Sequence, residues 1–111
     1  MGDMKYIIVN LEHEATHNWP EAREKLPEVG FLADEHRHVF HIKLMKRVEH
    51  GDRDVEFIVL KRQVQVYLRE KYGRTFGRKS CEDIAEELLT QFQCVQVRVL
   101  EDGENGALVA V

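Results

Sequence analysis

Residues 35–48 place the tightest limit on what this chain can fold into. Phe40, Ile42, Leu44 and Val48 share one parity, and His41, Lys43, Met45 and Arg47 share the other. Strand side chains alternate faces with period two, so the segment is expected to be a half-buried strand of an antiparallel sheet. His36 and His38 stand at its mouth and point the same way. Two imidazoles on one rigid face share a metal ion if a third ligand arrives from elsewhere.

Upstream, Lys5-Tyr6-Ile7-Ile8-Val9-Asn10-Leu11-Glu12 is rich in β-branched and aromatic residues and is expected as a first strand. If the extension continues, His13, Ala15 and His17 share a face. The stretch Asn18 to Ala33 holds Pro20, Pro27 and Gly30. It is expected as a long loop with a helical turn around Glu21–Lys25, of the kind that lies over a site. After the turn at Glu49–Asp52 the period changes. Phe57, Leu60, Val64, Tyr67 and Leu68 recur at spacings of three and four, which predicts an amphipathic helix over 56–72 that Gly73 ends. A basic, glycine-punctuated linker follows from Arg74 to Lys79. Ser80 is a good N-cap for a second helix, with Glu82 and Asp83 at its positive end. Ile84, Ala85, Leu88, Leu89 and Phe92 form its buried stripe. Cys94 to Glu101 alternates again, with Val95, Val97, Val99 and Glu101 on one face. Asp102-Gly103 and Asn105-Gly106 are turn dipeptides, and Ala107 to Val111 is a last strand. The expected order is β-β-α-α-β-β in one α+β domain over residues 1–111. It predicts a four-stranded antiparallel sheet with two helices on one face, whose open edges favour self-assembly.

With 43% hydrophobic and 32% charged residues, a folded chain is expected rather than disorder. A net charge of -4 and a pI near 5.9 argue against a nucleic-acid partner. The basic clusters Lys61-Arg62 and Arg74 to Lys79 would still meet a small anion. No apolar run reaches membrane-spanning length, and Met1-Gly2-Asp3-Met4-Lys5 shows no signal-peptide pattern. Cys81 and Cys94 lack a C-x-x-C spacing. A cytoplasmic protein with structural thiols is therefore expected.

Four patches, in order, resemble one family. Glu14-Ala15-Thr16-His17 resembles its first-strand Ala-Ala-His segment, and His36-Arg37-His38-Val39-Phe40 its His-Gly-His strand start. Val55-Glu56-Phe57-Ile58-Val59-Leu60-Lys61 resembles its Asp-Phe-x-x-Leu-Lys helix entry. Val97-Arg98-Val99-Leu100-Glu101 resembles the strand ending in a pterin-anchoring glutamate. The family is that of the 6-pyruvoyltetrahydropterin and 6-carboxytetrahydropterin synthases, which have the tunnelling fold. The resemblance implies a Zn2+ ion on His17, His36 and His38 with an open position for water or substrate. It implies that Glu101 binds the substrate, accepting two parallel N–H bonds from a pterin's donor edge. The activity implied is a zinc-dependent carbon–oxygen lyase acting on 7,8-dihydroneopterin triphosphate. The assembly implied is a homo-oligomer, a hexamer of two stacked trimers, that closes the barrel.

The chain departs from that family in three places. Gly30-Phe31-Leu32-Ala33-Asp34-Glu35 has no cysteine before the paired histidines, which leaves Glu35, or Asp34, as the visible substitute base. Lys71-Tyr72-Gly73-Arg74-Thr75-Phe76 has no Asp-His pair, and Arg37 stands where the family has glycine. These losses favour an alternative: a protein that binds a pterin or purine without efficient turnover. A third expectation is a small α+β interaction module with no ligand. His13 and His41 are expected to be structural or solvent-facing, and His50 solvated.

Overall fold

The computed structural model describes residues 2–111; Met1, the first residue of the expected domain, lies outside the described residues. In chain order it comprises β1 (Lys5–His17), α1 (Ala22–Lys25), a 3-10 segment (Pro27–Ala33) and β2 (His36–Val48). Then come α2 (Phe57–Tyr72), β3 (Thr75–Gly77), α3 (Cys81–Gln91), β4 (Gln96–Glu101) and β5 (Asn105–Ala110).

The two long strands form the spine. β1 and β2 pair antiparallel over their full 13 residues, from Lys5 opposite Val48 to His17 opposite His36. Apolar parity sets this register. Val9, Leu11 and Ala15 of β1 bury on the same face as Phe40, Ile42 and Leu44 of β2. Slipping one residue would turn all of them to water. Val97 and Val99 continue that face in β4 and are fully buried. Helices α2 and α3 cover it with Leu60, Val64, Leu68, Ile84, Ala85 and Leu88. Ser80 caps α3 as expected, its Oγ accepting from the Asp83 N–H at 3.1 Å. The cap of α2 is Glu56, whose carboxylate accepts from the N–H groups of Ile58 and Val59. Phe57 does not join the core face as its spacing suggested; it is 52% exposed.

The sheet corrects the expected architecture. It has five strands in the order β3-β1-β2-β4-β5, and β3 runs parallel to β1. The helical turn expected around Glu21–Lys25 is α1, and the loop before β2 adds the 3-10 segment, so the described residues hold four helical pieces, two of them the helices expected. The α+β class holds, but the four-stranded antiparallel β-β-α-α-β-β plan of a tunnelling fold does not. The cause is local. A three-residue strand has no room for an alternating pattern, and only Phe76 within it is buried. Its bonds come from far away in sequence: the N–H groups of Thr16 and Asn18 donate to the carbonyls of Arg74 and Gly77 at 2.8 and 2.9 Å.

Asn105-Gly106 is also not a turn. It begins β5, and the chain reverses just before it, with Asp102 and Gly103 at positive φ of 55° and 74°. Gly106 serves a close approach: a Cβ there would stand 1.8 Å from the Val99 carbonyl oxygen. No other residue type lets β5 lie this near β4.

Glu87 of α3 ties the helices to the β3–α3 connection. Its carboxylate accepts from Tyr67 at 2.6 Å, from Lys71 at 2.9 Å, from Lys79 at 3.2 Å and from the Tyr72 hydroxyl. Burial alone would raise its pKa, but these donors outweigh burial and hold the carboxyl at about 2, below its ordinary 4.5. The side chain is only 15% exposed, but its partners Lys71 and Lys79 are 48% and 38% exposed, so solvent screens the network in part. A carboxyl depressed on folding stabilises the folded state above its unfolded pKa and loses that contribution as pH falls through the folded one. Discounted for that screening, the contribution is below about 3 kcal/mol. Denaturant unfolding of wild type and Glu87→Gln should therefore differ most at neutral pH. The difference should shrink steadily between about pH 4.5 and 2.

Candidate metal centre

The β1–β2 register builds the site before any side chain is considered. It sets His17 directly opposite His36 at the end of the two strands. His38 lies two residues further along β2 on the same face. The β2–β4 register then places Phe40 opposite Glu101. One end of the helix-covered face thus carries His17, His36, His38 and Glu101.

The three imidazoles stand edge to face. Ring centroids are 4.5 Å apart for His17–His36, 5.2 Å for His17–His38 and 5.0 Å for His36–His38. One ligand nitrogen from each lies within 4.8 Å of the others. Phe40, fully buried, packs edge-on beneath His17 and His38 at 5.1 and 5.8 Å. This apolar floor keeps the rings from turning inward.

The Nδ1 side of each ring meets an oxygen. Nδ1–H of His36 donates to the Asp34 carbonyl at 2.7 Å, and Nδ1–H of His38 to Oδ2 of Asp102 at 2.6 Å. His17 makes a longer contact of 3.5 Å from Nδ1 to the Lys79 carbonyl. Those oxygens only accept, so the proton belongs on Nδ1 and the lone pair on Nε2. Metal-ligating histidines are oriented in this way.

Two further observations bear on a cation. Nε2 of His17 is buried with no hydrogen-bond partner among the described residues; Oε2 of Glu101 is 3.1 Å away but out of line for a bond. Burial lowers the His17 pKa, Glu101 opposes that, and His36 and His38 lower it further. The ring is thus poised neutral, the form a metal needs. Oε1 of Glu101 also lies 3.4 Å from Nε2 of His38. Three imidazoles with a carboxylate beside them are a donor set that a zinc ion would accept. The residues present fit the ion.

A cavity of about 340 Å³ opens beside the cluster, lined by His17, His36, Glu101, Trp19, Leu32 and Cys81 among others. Trp19 thus borders the cavity. Glu35 does not. Its carboxylate accepts a bond from the Thr16 hydroxyl, and Thr16 alternates with His17, which puts Glu35 toward the opposite face of the sheet. Arg37 also leaves the site and pairs with Glu14 at 2.8 Å. His13 packs on Phe76 and bonds the Gly73 carbonyl at 3.0 Å, a structural role. His41 faces Glu12, and His50 is exposed.

Sequence reasoning missed two neighbours of the cluster. Asp102 was legible only as a turn residue, and no spacing relates it to a histidine 64 positions away. Cys81 opens α3, and its Sγ lies 3.8 Å from Oε2 of Glu101. Burial, reinforced by Glu101, pushes the Cys81 thiol up to about 12. No protein-family model and no curated protein matches this chain.

Cys81 and Cys94 are both free and buried, and burial raises the pKa of each. A protonated, buried thiol is inert. Iodoacetamide at pH 8 should leave both unmodified in the folded protein and label both after denaturation, as read by intact mass.

Proposed function

We propose that this protein is a zinc-dependent lyase acting on 7,8-dihydroneopterin triphosphate or a closely similar dihydropterin. The observation that carries the proposal is the His17–His36–His38 cluster, with Nδ1 of each ring against an oxygen, beside a cavity of small-molecule size. The choice of substrate rests on the resemblance to the pterin synthases. Zinc held by the three histidines would polarise the oxygens of a hydroxylated side chain and acidify its neighbouring C–H bonds.

The protein's own groups divide the remaining work. Trp19 and Leu32 offer an apolar wall to a flat heterocycle. Glu101 offers two acceptor oxygens to its donor edge, the role the resemblance assigns to it. Arg78 and Lys79 also line the cavity, but Arg78 is paired with Glu21 and Lys79 with Glu87, so a phosphate would compete with those carboxylates for them. The proposal includes a homo-oligomer, a hexamer by resemblance, and β5 leaves one backbone edge unpaired with Leu108 55% exposed. It also includes a cytoplasmic setting, with which two free thiols agree. No helix among the described residues is long and apolar enough to cross a membrane.

Two observations favour a second reading, in which the protein binds a pterin or purine without efficient turnover. Glu35, the substitute base, sits across the sheet from the histidines, and the Cys81 thiol beside Glu101 is held protonated. Glu35 is not placed to take a proton from a substrate in the cavity, and Cys81, which lines it, is held in the form that cannot.

Purified protein should take up stoichiometric zinc. His36→Ala/His38→Ala should lose more than about 100-fold in zinc affinity, beyond the effect of removing an outer hydrogen-bond partner. Zinc-loaded wild type should then release triphosphate from 7,8-dihydroneopterin triphosphate. Pterin binding without triphosphate release would favour the second reading. Wild type that binds neither zinc nor pterin would remove both.

A further inference from the structure

The β4–β5 hairpin delivers two consecutive carboxylates to opposite sides of one imidazole. Glu101 approaches Nε2 of His38 at 3.4 Å, and Asp102 receives Nδ1–H of the same ring at 2.6 Å. Asp102 is tied to β2 through its backbone as well as its side chain. Its backbone N–H donates to the Val39 carbonyl at 2.8 Å, and the Val39 N–H donates back to Oδ1 at 2.9 Å. A φ of 55° turns its side chain toward β2, and aspartate tolerates that region better than most residues. One oxygen is thus bound to the backbone beside His38, while the other is aimed at the ring.

We propose that Asp102 is a positioning residue that fixes His38 as the Nδ1–H tautomer and so leaves the lone pair on Nε2, the ring nitrogen on the Glu101 side, for the cluster with His17 and His36. The inference rests on the metal-centre reading above for its consequence, though not for its geometry. The demand is for aspartate specifically. Both donors, Val39 N–H and His38 Nδ1–H, need an acceptor oxygen at the same time, and an ionised carboxylate supplies two. Asparagine at this position has the same size and tolerates the same backbone. It has one oxygen, so its NH2 group must oppose one of the two donors. In carboxylate–histidine–metal arrangements the outer partner fixes the tautomer and raises the basicity of the ligand nitrogen.

The test compares wild type with Asp102→Asn and Asp102→Ala, each checked by circular dichroism for retained fold. The first readout is the 15N spectrum of His38 in metal-free protein at pH 8. Nδ1–H is expected in wild type, with a shift toward Nε2–H in both variants. The second readout is zinc affinity by competition with a chelator dye, expected to fall about 10–100-fold in both variants. The cobalt-substituted protein should show an altered visible spectrum as well. A His38 tautomer unchanged by either substitution, or a zinc affinity within about twofold of wild type, overturns the inference. Failure of the reading beneath it looks different. If wild type takes up no zinc while the tautomer still depends on Asp102, the metal centre falls and the hold of Asp102 on His38 stands.

Discussion

Everything at the candidate site depends on the register between β1 and β2. The pairing runs unbroken from Lys5–Val48 to His17–His36. It does two jobs with one set of alternating side chains. Along most of its length it stacks Val9, Leu11, Phe40, Ile42 and Leu44 into the core. At its end, the same parity brings His17 beside His36 and His38. Because the period is two, the core and the cluster cannot be shifted independently. Hydrophobic burial therefore holds the histidines in place, although none of that burial involves the histidines' own chemistry. Phe40 marks the junction, packed against Phe76 at 4.9 Å on one side and the imidazoles on the other.

A second layer of control comes from elements that are neither long nor apolar. β3 contributes three residues, yet the connection that leaves it carries the Lys79 carbonyl that meets His17. Lys79 is in turn anchored by its ammonium group to Glu87, where two tyrosines and Lys71 also converge. On the far side, the tight approach of β5 to β4 at Gly106 sets the hairpin that carries Glu101 and Asp102. The cluster is thus gripped from both flanks by polar contacts, while the sheet supports it from below. Such an arrangement limits the ring rotations that would otherwise blur a ligand set.

Much of the fold was legible because its main signals are periodic. The parity of 35–48, the three-and-four spacing of Leu60, Val64 and Leu68, and the Ser80 cap each read directly into structure. The fifth strand was not legible, since three residues carry no period and Phe76 is its sole buried member. The Asn105-Gly106 dipeptide misled because glycine serves both turns and close approaches, and residue type does not distinguish them. Glu35, or Asp34, stood as the substitute base because the segment before the paired histidines, where the resembled family has its cysteine, offers no other. Adjacent residues near a strand mouth project to opposite sides, and the Glu35 carboxylate went to Thr16 instead.

By itself the sequence determined the alternation of the long strands, the amphipathic faces of α2 and α3, and the common parity of His36 with His38. These follow from local periodicity, which the backbone enforces wherever the strand or helix lies. Tertiary structure alone decided that His17 meets His36, that Glu101 and Asp102 bracket His38, and that the chain between α2 and α3 adds a parallel strand to the sheet edge. Each is a contact between segments far apart in the chain, His38 and Asp102 by 64 positions and His17 and Lys79 by 62. Only the packed sheet, closing on its own core, brings such groups within bonding distance.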